Sequence, residues 1–209
     1  MLTFGSDPNA KVTKKSKSPL SFHPIALIFG LLSFVSYLVE GAVGDWSALY
    51  LFEDKGIVIE EAVMGVMLFN GTMCIGRLLG NRLGKHLTSK QVVVGGYLLG
   101  SIAMGLIVFL PGHASMYTYL LLGISLAMIV PNLFSAMGEQ NVIPMTQAVA
   151  TSTMLGYMGI LMGPALIGFI AHGTSLTVAF IVLTILLVVS AGIGKYAYML
   201  MDKSKEAEA

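Results

Sequence analysis

Long apolar runs alternate with short polar segments along this chain, and each run has the length of a bilayer crossing. At about 20 apolar residues per crossing, the pattern predicts six helices, near 24–46, 61–80, 91–110, 115–136, 147–171 and 174–200. The breaks between them carry turn and charge signals. Glu53, Asp54 and Lys55 follow the first run, 81–90 the second, Pro111-Gly112-His113 the third, 138–144 the fourth and His172-Gly173 the fifth. Stretches such as 181–189 have no polar face. A helix bundle dissolved in water needs one, so the pattern argues for an all-α membrane protein. The expected organisation is a polar tail at 1–21, a six-helix transmembrane bundle at 22–201 and a second tail at 202–209. No early apolar region marks a cleaved signal, so the first helix is expected to insert as itself.

Composition agrees with this. The 209 residues are 56% hydrophobic and 11% charged, with 24 Gly and 14 Met, and the mean hydropathy is +0.82. A net charge of +1 without a basic face gives no reason to expect nucleic acid as a partner. The placement of the cations is more informative. Lys11, Lys14, Lys15 and Lys17 lie in the first tail, Arg77, Arg82, Lys85 and Lys90 around the second break, and Lys195, Lys203 and Lys205 near the end. Eleven of the 12 cations thus fall on one side, with Lys55 opposite. The positive-inside rule then puts both termini in the cytoplasm, which requires an even number of spans. The expected location is a bacterial inner membrane.

Few polar groups fall inside the runs. Glu40 ends the uncharged stretch Leu31 to Val39. Counted from Pro24 it lies about 16 residues, or roughly 24 Å, along the first helix. That puts it in the outer half of the bilayer, where it either lines a cavity or reaches the interface as a helix-end carboxylate. Asp45 and Trp46 read as interface residues. Asn70 and Asn132 are candidates to bind solute or to hydrogen-bond a neighbouring helix. Pro131 adds a local break beside Asn132, because it removes a donor and frees the carbonyl near position 127. Tyr37 and Tyr157 each carry a polar tip on an apolar body, suited to a cavity wall or to packing.

Gly76, Gly80 and Gly84, Gly96 and Gly100, and Gly159 and Gly163 have the small-xxx-small spacing of close helix contacts. Cys74, the single cysteine, reads as a small packing residue. His23, His86, His113 and His172 show no metal-ligand spacing, so no metal site is expected. A phosphate-cradling G-x-x-x-x-G-K-[ST] loop is absent, which argues against an ATP-driven pump. No cofactor is expected, and no enzyme. The least unsuitable enzymatic reading is an intramembrane serine protease. For that reading Ser125 follows Gly123 without the second framing glycine, and no histidine lies deep in a run.

The segment Gly76-Arg77-Leu78-Leu79-Gly80-Asn81-Arg82-Leu83-Gly84-Lys85 resembles the cytoplasmic loop motif of the major facilitator superfamily, in the copy belonging to the second half of such a transporter. Asn81 stands where the family commonly has an acidic residue, and Arg77 where a glycine is common. The stretches 40–51 and 156–164 look like the seventh and eleventh helices of its fucose-permease-like branch. The resemblance implies a C-terminal six-helix half, with Gly76, Arg77, Gly80, Asn81, Arg82 and Lys85 as its loop motif. It further implies a small solute held between two halves that rock to alternate access. The first and fourth helices would line the cavity, with Tyr37, Glu40 and Asn132. The implied partners are the lipid bilayer, the solute and a second six-helix half or a second copy. A transport-inactive membrane fragment or assembly subunit is the other reading.

Overall fold

The computed structural model describes residues 20–83, 87–140 and 143–208. Among them there is no strand, and six helical stretches are long and apolar enough to cross a membrane, as the apolar runs predict. The helices are α1 (Pro24–Glu53), α2 (Ile59–Leu83), α3 (Ser89–Phe109), α4 (Gly112–Tyr117), α5 (Tyr119–Leu126), α6 (Ile129–Glu139), α7 (Met145–Gly173) and α8 (Leu176–Glu208). The fourth crossing is made of α4, α5 and α6 in succession, spanning Gly112–Glu139.

Local chemistry sets the ends. Pro24 occupies the first turn of α1, where its missing N–H is no loss, and the His23 side chain accepts from the Ile25 N–H. α1 runs past the predicted 46 to Glu53. Asp45 does not end it, because that side chain is exposed and strains no packing. The chain turns only at Gly56, whose φ of 69° suits glycine. Thr88 and Gln91 form a capping box on α3, satisfying two of its orphan donors. At the other end of α3, the Lys55 ammonium donates to the carbonyls of Val108 (2.6 Å) and Leu110 (2.9 Å), a cation at the negative end of a helix. Burial holds that ammonium below the usual lysine range, with Asp54 opposing.

α1 is the centre of the bundle. In its most apolar stretch 61% of residues are buried, against 28% for α2 and 22% for α7, so these two helices carry the open faces. α1 and α7 run side by side in the same direction, from the Ser21–Thr151 hydrogen bond to the bond from Trp46 Nε1 to the Pro164 carbonyl (2.9 Å). Trp46 therefore ties two helices together instead of only marking an interface. The expected glycine contacts are present among the described residues, Gly84 lying outside them. A Cβ on Gly159 would strike the Phe34 carbonyl, one on Gly163 would lie 2.5 Å from the Leu38 carbonyl, and one on Gly96 would lie 2.8 Å from that of Ser125. A Cβ on Gly76 would lie 2.6 Å from the Ala127 Cβ. These glycines let backbones meet where lipid offers no hydrophobic drive for association.

Candidate functional site

The face of α1 left partly open follows helical spacing through Leu27, Leu31, Phe34, Tyr37, Glu40, Gly44 and Asp45. Glu40 lies on it roughly 24 Å from Pro24 and about 20 Å from Glu53, near the middle of the extended helix and not at its end. The added turns beyond 46 change its expected position in this way. A single guanidinium nitrogen, Nη2 of Arg77, reaches both Glu40 carboxylate oxygens at 3.2 and 3.3 Å. Arg77 lies inside the membrane-crossing stretch Ile59–Gly80, about one turn from its end, so the pair joins two spans. An ion pair there removes most of the penalty of either charge alone.

Beside the pair, Tyr37 stacks on Tyr157 of α7 with centroids 6.4 Å apart and rings 7° from parallel. Tyr37 and Glu40 are three residues apart and share a helix face. Asn70 and Cys74 precede Arg77 at spacings that align all three along one stripe of α2, and all are exposed. Cys74, expected as a packing residue, is instead exposed on this face.

The two asparagines do not bridge helices. Asn70 Nδ2 donates to the Val66 carbonyl (3.0 Å) and Asn132 Nδ2 to that of Met128 (2.8 Å), each one turn back in its own helix. Asn132 follows the expected break: α5 ends at Leu126, and Pro131 sits in the first turn of α6, where it costs no hydrogen bond. Among the described residues no hydrogen bond or ion pair joins Asn132 to the Glu40 group. In the loop motif, Gly76 and Gly80 pack against Ala127 and Met128. Asn81 and Arg82 lie in the last turn of α2 with side chains outside the described set, and Lys85 lies outside the described residues.

One feature beside the site escaped the sequence reading. Pro164, inside α7, deprives the Ile160 carbonyl of its helical donor. That oxygen faces α1, where a Cβ on Gly41 would lie 2.9 Å from it. A broken backbone hydrogen bond thus lies next to Glu40, and the signal for it was the Gly163-Pro164 pair. Farther along the same two helices, at the Glu53 end, a cleft of about 520 Å³ is lined by Trp46, Glu53, Asp54, Gly168 and His172.

Six apolar crossings with a charge pair, an amide and two phenols gathered on an open face define an integral, multi-pass membrane protein. Its relatives carry transporter and membrane-protein names. The chain is 41% identical over 168 residues to an uncharacterized MFS-type transporter of Yersinia pestis, a match covering 79% of this chain and 43% of the relative. It is 31% identical over 151 residues to the membrane protein MosC of Rhizobium meliloti, covering 72% of this chain and 37% of that one. An uncharacterized transporter of Sinorhizobium fredii is 28% identical over 159 residues, 74% of this chain and 41% of the relative. The matches thus cover less than half the length of these curated relatives. No family model matches the chain.

Proposed function

We propose that this chain is one six-helix half of a major-facilitator transporter of the fucose-permease-like branch, moving a small solute by alternating access. The observation that carries the reading is the Glu40–Arg77 pair, mid-helix on α1 and within the crossing on α2, on the open side of the bundle. A charge pair within two crossings is costly to keep for packing alone and is suited to a pathway that contains water. Glu40, Tyr37, Tyr157, Asn70 and Arg77 form the wall contributed by this half, and Asn132 remains a candidate on the broken fourth crossing. The open faces of α2 and α7 receive a second six-helix bundle. Matches that cover only 37% to 43% of the relatives leave room for it. Both termini face the cytoplasm of a bacterial inner membrane, supported by the cation distribution.

Two measurements test this. Reconstituted as a cross-link-verified monomer, the chain is expected to accumulate none of a panel of labelled sugars, polyols, amino acids and carboxylates. Fused to the first six helices of the Yersinia relative, it is expected to carry one of them. Uptake by the monomer overturns the two-bundle reading, and inertness of the fusion overturns transport. For orientation, a reporter active only in the cytoplasm should give signal when fused to Ala209 or near Lys85, and none near Asp54 or His113.

A further inference from the structure

We propose that Arg77 is the anchor for a carboxylate of the transported solute, with Glu40 as the counter-ion that holds it in place. The proposal rests on the transport reading above and adds the chemical class of what is bound. Arg77 belongs to the stretch that reads from sequence as a loop motif, yet the fold places it within a crossing. There its side chain is 45% exposed against 23% for Glu40. That order decides the sign of the site. A solute arriving at the open face meets the guanidinium first and the carboxylate behind it.

The geometry of the pair points the same way. An arginine whose only task is to neutralise a carboxylate presents two nitrogens to two oxygens, fork to fork. Here Nη2 alone spans both Glu40 oxygens, at 3.2 and 3.3 Å. Nε and Nη1 make no hydrogen bond among the described residues, so donors of a planar fork remain available within the crossing. Planar donors in fixed geometry match the paired oxygens of a carboxylate, and those of a phosphate, which the experiment below separates from it. The Asn70 amide oxygen lies two turns along the same stripe, because its nitrogen is the atom tied to Val66. The Tyr37–Tyr157 stack offers ring surface for the body of the solute.

The chain contains its own reporter. Cys74 is the single cysteine, is exposed, and lies three residues from Arg77 on the same face of α2. The experiment uses the whole chain in zwitterionic nanodiscs. It compares Cys74 labelling by an anionic sulfonatoethyl and a cationic trimethylammonioethyl methanethiosulfonate. The rate ratio cancels any effect of Arg77 on thiolate formation, since both reagents attack the same thiolate. The anionic-to-cationic ratio is expected to fall roughly tenfold in Arg77→Gln and to rise in Glu40→Gln. Acetate, succinate or benzoate is expected to slow labelling of the parent and of Glu40→Gln, and chloride at equal ionic strength is not. Glu40→Gln keeps the test decisive if Arg77→Gln fails to fold. Labelling at equal rates by the two reagents, with no slowing by any carboxylate, overturns the anchor and leaves the transport reading standing. So does slowing by ethylammonium alone, which would make Glu40 the anchor, or by phosphate alone. A Cys74 that neither reagent reaches overturns the water-facing stripe and the anchor with it, and leaves the transport reading to the fusion test.

Discussion

The seam between α1 and α7 and the open stripe of α2 lie on opposite sides of the same charge pair, and they are built by opposite rules. Along the seam Gly156, Gly159 and Gly163 let α7 lie on the Tyr37 ring and on the backbones of Phe34 and Leu38. Along the stripe Asn70, Cys74 and Arg77 are exposed on α2, and among the described residues the one side-chain bond from the stripe to another helix is the Arg77–Glu40 pair. Small residues with no functional groups make the tight side, and polar residues of graded size make the loose one. Stability is therefore expected to be concentrated in the first region and chemistry in the second.

The largest effect is expected at Gly159. An added methyl there collides with the Phe34 carbonyl and its Cα, which are backbone and cannot turn aside. Gly159→Ala should lower stability by about 3 kcal/mol, the upper range for overpacking, read as a reduced thermal midpoint and reduced yield in detergent. Gly192→Ala is the control, because nothing lies within 4 Å of that position. It should be neutral or gain less than about 1 kcal/mol from helix propensity. Equal losses at the two sites would mean that the seam does not hold the bundle.

The next effect separates the two regions directly. Neutralising either member of the Glu40–Arg77 pair should cost about 1 kcal/mol, a modest value because Arg77 is half exposed and its charge can find water. The double variant Glu40→Gln, Arg77→Gln removes both charges and should recover most of that loss in thermal midpoint. In an assembly that transports, it should remain inactive. Recovery of both properties would make the pair a structural clasp. Recovery of neither would make it indispensable to folding.

How much of this was legible follows from what each signal depends on. The six crossings were legible because hydropathy is summed over about 20 residues and single polar positions barely disturb it. The glycine seams were legible because their spacing is fixed by the helix itself. The extent of α1 was not, because Asp45 and Trp46 read as interface residues unless one knows that the face of Asp45 is open and that Trp46 binds α7. The partnership of Glu40 with Arg77 was also hidden. It joins positions 37 residues apart on antiparallel helices, and only the register of α1 against α2, set by packing, brings them together. Cys74 was misread for a related reason: an apolar run suggests burial, but α2 turns that side away from the bundle.

Away from both regions, Lys55 closes α3 through the Val108 and Leu110 carbonyls and lies over the Tyr50 ring, 5.3 Å from its centroid. Lys55→Met keeps much of the stem but removes the charged donors, and should cost about 1 kcal/mol. The pH dependence has a defined sign. Because the ammonium is held below its ordinary value of 10.5 in the fold, the unfolded chain binds more protons between the two values. The stability gap between parent and Lys55→Met should therefore widen as pH rises through that window. A gap that narrows there would mean that the two carbonyls stabilise the charge more than burial opposes it.

The smallest effect is expected at the buried contact between α1 and α3. The Tyr97 hydroxyl donates to the Leu32 carbonyl at 2.7 Å. Having one proton, it must accept from the Ser36 hydroxyl, 2.8 Å away. The three groups form a short relay, and the relay carries its own replacement. Leu32 lies one turn before Ser36, so when Tyr97→Phe removes the middle member, the Ser36 hydroxyl can rotate and donate to that carbonyl itself. The loss should then be about 0.6 kcal/mol, the usual scale for a hydrogen bond between membrane helices. Ser36→Ala should cost about the same, since Tyr97 keeps its acceptor. The double variant loses both bonds, leaves the Leu32 carbonyl with only its helical donor, and should cost about the sum of the two. A double variant that costs clearly less than the sum, little more than Tyr97→Phe alone, would show that Ser36 does not take over the bond, since Tyr97→Phe would then already lose both.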